Sequence, residues 1–457
     1  MIVLKFGGTS VGDADAIRRT ASIVASRREK RPIVVVSALA GVTNDLIAIG
    51  EQAAKGHLIG AVRSVEALRA RHLQAAETIL GSTPECADLS AELSALCDEL
   101  AHLAEALSTL GDATPRSMDM IASFGEQMSS LLCVAAFTCA GLPATHVDAR
   151  QVMITDDQFM RAEPQPDAIA EATRAQLLPE VTAGRIPVLG GFIGSVKGKG
   201  TTTTLGRGGS DYSASLIGAA IRAEAIEIWT DVDGMLTADP RVVKKAQLID
   251  RIGFDEASEL ASFGAKVLHP NTIAPAVRLG IPVLILNSRR PEGTGTVITF
   301  EAPRRSVSAI AGKNDVTLIR VGSPRMLLAE GFMRRLFDVF ARHKASIDVV
   351  ATSEVSVSVT MDDASRLPAL LPDLRELGDV SVERHRGIVA IVGAALREGG
   401  AHMSRALSAL GNVNVHMLSL SATGINLTMV VDDDQVKPAM QRLHAEFFEK
   451  DGGGGRS

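Results

Sequence analysis

Lys5-Phe6-Gly7-Gly8-Thr9-Ser10-Val11-Gly12 is the stretch on which the reading of this chain turns. A short apolar run, Met1-Ile2-Val3-Leu4, precedes it and has the character of a buried strand. Asp13-Ala14-Asp15-Ala16-Ile17-Arg18-Arg19 follows and opens like a helix. The order is strand, glycine turn, helix N-terminus. Such a turn lets backbone N–H groups approach phosphate oxygens, and the helix dipole favours the anion. Lys5, at the strand end, brings an ammonium to the same charge. The Lys stands before the glycines, so this is not the Walker A spacing. A Gly-Gly turn by itself also serves merely to close a βα connection; the eight residues together are more specific.

The same alternation continues outward. Ile33-Val34-Val35-Val36 is a continuous β-branched run, expected of a strand covered on both faces. It ends in Ser37-Ala38-Leu39-Ala40-Gly41-Val42-Thr43-Asn44, a second small-residue loop leading into a helix. Residues 57–111 are rich in Ala, Leu and Glu and read as a helical excursion. Helix, strand and loop then alternate to about residue 300. This pattern predicts an α/β fold, a mostly parallel sheet sandwiched by helices. The texture changes at Pro303-Arg304-Arg305, which reads as a linker. Beyond it, residues 316–321, 347–353 and 355–361 read as strands and residues 331–343 as a helix, with a further helix and strand to come. Residues 355–361 alternate strictly, and Phe332, Leu336, Val339 and Phe340 share one helical face. The same order is expected again from Ile388 to about Phe448. The result is two α+β units of βαββαβ type. The expected divisions are residues 1–300, 301–385 including the linker, 386–450, and a disordered Gly-rich tail at 451–457.

Bulk composition narrows the function classes. Of 457 residues, 46% are hydrophobic and 22% charged, with net charge −6, so no global field attracts nucleic acid. One Trp and one Tyr leave few stacking platforms for single strands. Cys86, Cys97, Cys133 and Cys139 form no CxxC pair and read as free thiols of a reducing cytosol. The run Leu131 to Phe137 has the length of a core helix segment and is too short for a membrane span. No membrane or nucleic-acid partner is expected.

Three further segments carry chemistry. In Thr201-Thr202-Thr203-Thr204-Leu205-Gly206-Arg207-Gly208-Gly209-Ser210-Asp211-Tyr212-Ser213, Arg207 offers a donor fork suited to a carboxylate, and the glycines allow close approach. Asp211 reads as the charge at the cap of a helix over 212–220, able to orient a Lys or an ammonium; the bland alternative is a flexible loop with an Asp N-cap. Glu126, in Phe124-Gly125-Glu126, reads as a first-turn carboxylate between a loop and a helix, which in isolation would simply be solvated. Ile226-Glu227-Ile228-Trp229 reads as a strand whose C-terminal edge, Thr230-Asp231-Val232-Asp233-Gly234, is where open α/β sheets bind ligands. Asp239-Pro240-Arg241 and Gly264-Ala265-Lys266-Val267-Leu268-His269-Pro270 complete the set, with Arg241 and Lys266 as candidate phosphate cations and His269 read as structural.

Together these motifs resemble the aspartate kinases of the amino-acid kinase superfamily, and the paired C-terminal units resemble tandem ACT domains, which bind amino acids as regulators. The resemblance implies ATP-dependent phosphorylation of the L-aspartate side chain to 4-phospho-L-aspartate, at the head of lysine, threonine and methionine synthesis. It implies ATP as a substrate, Mg²⁺ held mainly by its phosphates, and no protein metal site. By the same likeness Lys5, Asp211 and Arg207 are catalytic, and Thr43, Glu126, Arg207, Gly209 and Ser210 bind substrate. Lys5, Gly7, Gly8, Thr9, Thr230, Asp231, Leu236, Arg241 and Lys266 are placed at ATP. Leu236 stands where relatives often carry a Tyr, so it can pack on adenine but cannot stack or donate. Met326, Gly331, Phe332, Ser346, Asp348, Ser353 and Glu354 match an effector site for lysine or threonine, with Leu328 and Ala329 replacing polar residues. A homodimer or higher oligomer through the ACT units and a cytoplasmic location are expected. Two rivals stand beside this reading: a related kinase for another acid, and a non-catalytic amino-acid sensor.

Overall fold

The computed structural model describes residues 1–263, 270–326, 330–396 and 400–449. The readings made of Lys266, His269, Leu328, Ala329 and the 451–457 tail lie outside the described residues. The chain divides into two compact units, residues 1–235 with 270–300, and residues 236–263 with 301–449.

The first unit is built on a sheet whose strands run, side by side, Ala144–His146, Ile186–Gly190, Pro32–Val36, Ile2–Phe6, Ile226–Thr230, Val283–Asn287 and Thr296–Ile298. All neighbours are parallel except the last pair. The apolar runs at 2–6 and 32–36 are buried at every position, as strands covered on both faces require. The register pairs Phe6 with Val36 and Trp229, Val36 with Gly190, and Asn287 with Thr230. The C-terminal ends of five strands therefore share one edge, and the loops that carry the sequence motifs leave from it.

Helices cover both faces. Asp13 caps the helix Ala14–Ser26 by accepting from Ala16 N at 2.8 Å. The excursion consists of Leu58–Leu80 and Pro84–Leu110, the second with Thr83 as its cap and Pro84 in its first turn. The run Leu131 to Phe137 belongs to a longer helix, Pro115–Cys139. That helix is long and apolar enough to cross a membrane by length and composition. Yet Phe124, Met128, Leu132 and Phe137 are buried in one core with Leu4, Val34 and Val36, which makes it the central helix of this unit.

The second unit holds a six-stranded sheet in the order Val350–Thr352, Ser356–Met361, Ala309–Gly322, Asp379–Val392, Asn426–Asp432, Val415–Leu420, antiparallel throughout. Its two central strands are 14 residues each and serve two cores in turn. Val316 to Gly322 pairs with Asp379 to Arg386, beside the core of Phe332, Leu336, Phe340, Val357 and Leu370. Ala309 to Lys313 pairs with Ile388 to Val392, beside the core of Ile310, Val389, Met429 and Leu443. The register shifts between the halves, where Asp315 adopts a positive φ of 57°. The expectation of a self-contained second βαββαβ run from Ile388 to Phe448 is corrected here. No strand follows its last helix, Val436–His444, among the described residues; its closing strand is Ala309 to Lys313, which stands in sequence ahead of the first βαββαβ run. Residues 303–305, expected as a linker, lead toward that strand.

Candidate active site

The glycine turn after Phe6 lies at the shared sheet edge. Gly7 N–H donates to Trp229 O at 3.0 Å, and Ser10 N–H to Gly7 O at 2.8 Å, so the turn is tied to the neighbouring strand. With the Gly7 amide spent there, Gly8 is the glycine of this pair that lines the adjacent cleft. Thr9 is exposed beside it. Ser10 Oγ donates to Ser288 Oγ at 2.8 Å, joining the turn to the loop after Val283–Asn287.

Lys5 is buried, and its Nζ lies 2.6 Å from Asp211 Oδ1. The same ammonium would stand 3.5 Å from a Cβ at Gly7, so it sits over the turn. Asp211 is not the helix cap that the sequence implied. The helix spans Gly209–Ile221 and is capped by Gly208, at φ 72°. Asp211 lies inside its first turn, with the Lys5 ammonium against its carboxyl group.

Glu126 is also placed differently from its sequence reading. It lies near the middle of Pro115–Cys139 and is buried rather than solvated in a first turn. Oε1 accepts from Ala38 N–H at 3.1 Å, and Oε2 is buried without a hydrogen-bond partner among the described residues. Burial pushes its carboxyl up to about 8, with the Ala38 amide and the Lys5 ammonium pulling the other way. An unpaired buried oxygen of this kind is costly unless a donor completes it.

Glu126 lines a cleft of ≈ 610 Å³ that also takes in Gly8, Thr43, Arg207, Gly209 and Ser210. The substrate set read from the sequence thus comes together around one cavity. Ser37 Oγ donates to Ser210 Oγ at 2.9 Å, and Ser129 Oγ to Ser37 O at 2.7 Å, fixing the second small-residue loop against both helices. Ser210 belongs to the substrate set read from the sequence, whereas nothing in the sequence singled out Ser37 or Ser129. Asp119 was missed too. It is fully buried and accepts from the amides of Met160 and Thr204 and from Thr204 Oγ1. Its partners lie 41 and 85 residues away, so no local pattern marks it.

The candidate nucleotide residues are divided between the two units. Thr230 O accepts from Ser288 N at 2.8 Å, and Thr230 Oγ1 donates to Asp231 at 3.3 Å, at the same sheet edge. Leu236 and Arg241 belong to the second unit. There Leu236 bridges Leu248, and Arg241 forks onto Asp239 with contacts of 2.7 and 3.0 Å.

Of the effector set, also in the second unit, Gly331 takes φ 78° before the helix Phe332–Arg342. Phe332 is core, so any effector contact it makes runs through its backbone. Met326 packs against that core, Ser353 bonds Ser356 across a turn, and Ser346 and Glu354 are exposed. Asp348 is pushed up to about 7 by the partial burial of its carboxyl and by neighbouring Asp362; its partner cation Lys313, 3.9 Å away, also binds Asp362.

Residues 1–287 match the model of the amino acid kinase family, and residues 389–447 match that of an ACT domain. The lysine-sensitive aspartokinase 3 of Escherichia coli is 39% identical over 98% of this chain and 99% of its own length. The chain belongs to the aspartokinases, within the amino acid kinase family. The chloroplastic aspartokinase 3 of Arabidopsis thaliana is 34% identical over 98% of the chain and 82% of that protein. A crystal structure of E. coli aspartokinase III with aspartate and ADP, in the R-state, superposes with a TM-score of 0.86 at 39% identity, covering 98% of this chain and 100% of that one. The same enzyme with lysine and aspartate, in the T-state, gives 0.82 at 38% identity, covering 98% and 99%. As an aspartokinase the chain is a phosphotransferase with a carboxyl acceptor; lysine sensitivity is a feature of the E. coli enzyme.

Proposed function

We propose that this aspartokinase transfers the γ-phosphoryl group of ATP to the side-chain carboxylate of L-aspartate, and that Glu126 and Arg207 hold the substrate zwitterion. The observation that supports the placement is the cleft in which a buried, half-satisfied carboxylate and an exposed guanidinium flank one cavity. An α-ammonium completes Glu126 Oε2 and favours its ionised form. The α-carboxylate takes the Arg207 fork. The side-chain carboxylate is already an oxyanion nucleophile, so no general base is required; alignment and charge neutralisation do the work. Lys5, held by Asp211, supplies positive charge at the phosphate turn. Among the described residues no cluster of three metal-ligating side chains occurs, and a Mg²⁺ borne by ATP phosphates and water suits such a site, where it would supply further charge neutralisation.

The product would enter lysine, threonine and methionine synthesis in the cytoplasm. We further propose inhibition by lysine, threonine or both through the ACT units, in a homodimer or higher homo-oligomer. ADP release measured with aspartate, glutamate and N-acetylglutamate tests the substrate, and aspartate alone is expected to support turnover. Calorimetry with lysine and threonine tests the effector. Coupling is reciprocal, so the inhibitor should bind more weakly when aspartate and ATP are present. Absence of heat from either, with activity unchanged at millimolar effector, would leave the ACT units a structural role only.

A further inference from the structure

We infer that Asp119 is a positioning residue that sets aspartate affinity by holding the two strands of backbone from which the Arg207 loop leaves. The inference rests on the placement of aspartate in the cleft of Glu126 and Arg207. Asp119 lies on Pro115–Cys139 seven residues before Glu126, two turns along the same helix face. It is fully buried, and no cation pairs with it among the described residues. Its carboxylate instead meets three donors. Met160 N–H reaches both oxygens, at 3.0 and 2.9 Å; Thr204 N–H reaches Oδ2 at 3.1 Å, and Thr204 Oγ1 donates to Oδ1 at 2.6 Å.

Both partners line the cleft. Met160 adopts φ 71°, a conformation that a side-chain-bearing residue keeps only when its surroundings enforce it, and the bond to Asp119 does so. Ala162 N–H then donates to Thr204 O at 2.8 Å, closing the two segments on one another. Gly206, next but one to Thr204, comes so near that a Cβ there would lie 3.2 Å from Met160 O. Arg207 follows directly. The direction of its guanidinium is thus inherited from a platform that Asp119 ties to helix Pro115–Cys139, while the pairing of residues 202–204 with 193–195 and the Thr155–Thr203 bond hold its other side. All three donors point at the carboxylate, so an amide of the same shape must turn an NH₂ group against one of them. Helix Pro115–Cys139 in this way carries both the carboxylate that meets the substrate and the one that aims the opposing arginine.

Asp119→Asn, Thr204→Val, Thr204→Ser and the double variant Asp119→Asn/Thr204→Val test this in the full chain, with Arg207→Ala in parallel. Asp119→Asn is expected to raise KM for aspartate about tenfold, the typical effect of one lost bond to a buried charge, with KM for ATP within about twofold of the parent. Thr204→Val should shift aspartate KM in the same direction by less, and Thr204→Ser should restore it. The two changes should be less than additive, because they break one network. An Asp119→Asn enzyme with a lowered melting temperature but parental aspartate KM would overturn the inference, as would additive effects. Should Asp119→Asn fail to fold, Thr204→Val with unchanged aspartate KM is the overturning result. If Arg207→Ala itself leaves aspartate KM unchanged, the placement of the substrate has failed; if Arg207→Ala raises it and Asp119→Asn does not, only the role of Asp119 has.

Discussion

At the scale of single residues, charge placement is what the site is made of. Lys5 and Asp211 hold one another at 2.6 Å in a largely buried setting, so each keeps the other oriented at the phosphate turn. Lys5→Ala should lower kcat about a hundredfold, on the order of 3 kcal/mol in the barrier, with aspartate KM little changed. Steady-state kinetics with aspartate varied at saturating ATP checks it, and turnover near the parent would remove Lys5 from the mechanism. Glu126 makes a pH prediction. Its folded-state carboxyl is raised to about 8 from an ordinary 4.5, so the native state holds a proton that the unfolded chain has released. Its contribution to stability is present below about 4.5 and is lost as pH rises toward 8. The melting temperature of the ligand-free enzyme should therefore fall more steeply over that interval than that of Glu126→Gln. Aspartate, whose ammonium favours the ionised form, should release a proton from the protein on binding near neutral pH, seen as a buffer-dependent binding enthalpy. Parallel stability curves and a buffer-independent enthalpy would show Glu126 to be ionised already.

At the scale of elements, the motifs were legible but their positions on helices were not. The sequence pointed to a helix start at Tyr212 and to Glu126 in a first turn. In the fold, Gly208 in the left-handed region starts the helix earlier, and Pro115, a good first-turn residue after the capping Thr114, starts the other well before Glu126. Glycine-rich stretches read as loops because propensity is local, whereas here the glycines are close-approach points. Gly191 shows this: a Cβ there would lie 2.6 Å from Ser210 Cβ and 2.9 Å from Val35 Cγ1. Gly191→Ala should cost about 1–3 kcal/mol by overpacking and shift the first turn that bears Ser210 and Asp211. Denaturant unfolding and kcat, measured together, check it; a variant as stable and active as the parent would mean that helix is free to move.

At the scale of the whole molecule, the interlocked sheet of the second unit decides what can be cut. Ala309 to Lys313 has its partner in Ile388 to Val392, and Ile310 is buried there. Ending the chain after residue 385 leaves that half-strand as an unpaired apolar edge, a template for association. Such a truncation should aggregate, as read by size-exclusion chromatography and light scattering. A monodisperse, well-folded product would show that the first βαββαβ core stands without the second. From the sequence, consecutive units are expected, because strand order within a sheet leaves no mark on local periodicity.

The residue sequence by itself determined the strand–turn–helix alternation, the kinase family likeness and the identity of Lys5, Glu126, Arg207 and Asp211, because short-range hydrophobic periodicity and motif spacing are local properties. Only the tertiary structure decided that Lys5 and Asp211 pair, that Glu126 is buried with one oxygen unmet, that Asp119 anchors two distant segments, and that residues 309–313 close the second ACT-type core. Each of these depends on groups far apart in sequence, where burial sets the cost of an unpaired charge and strand register sets the neighbour, and neither quantity exists until the chain has folded.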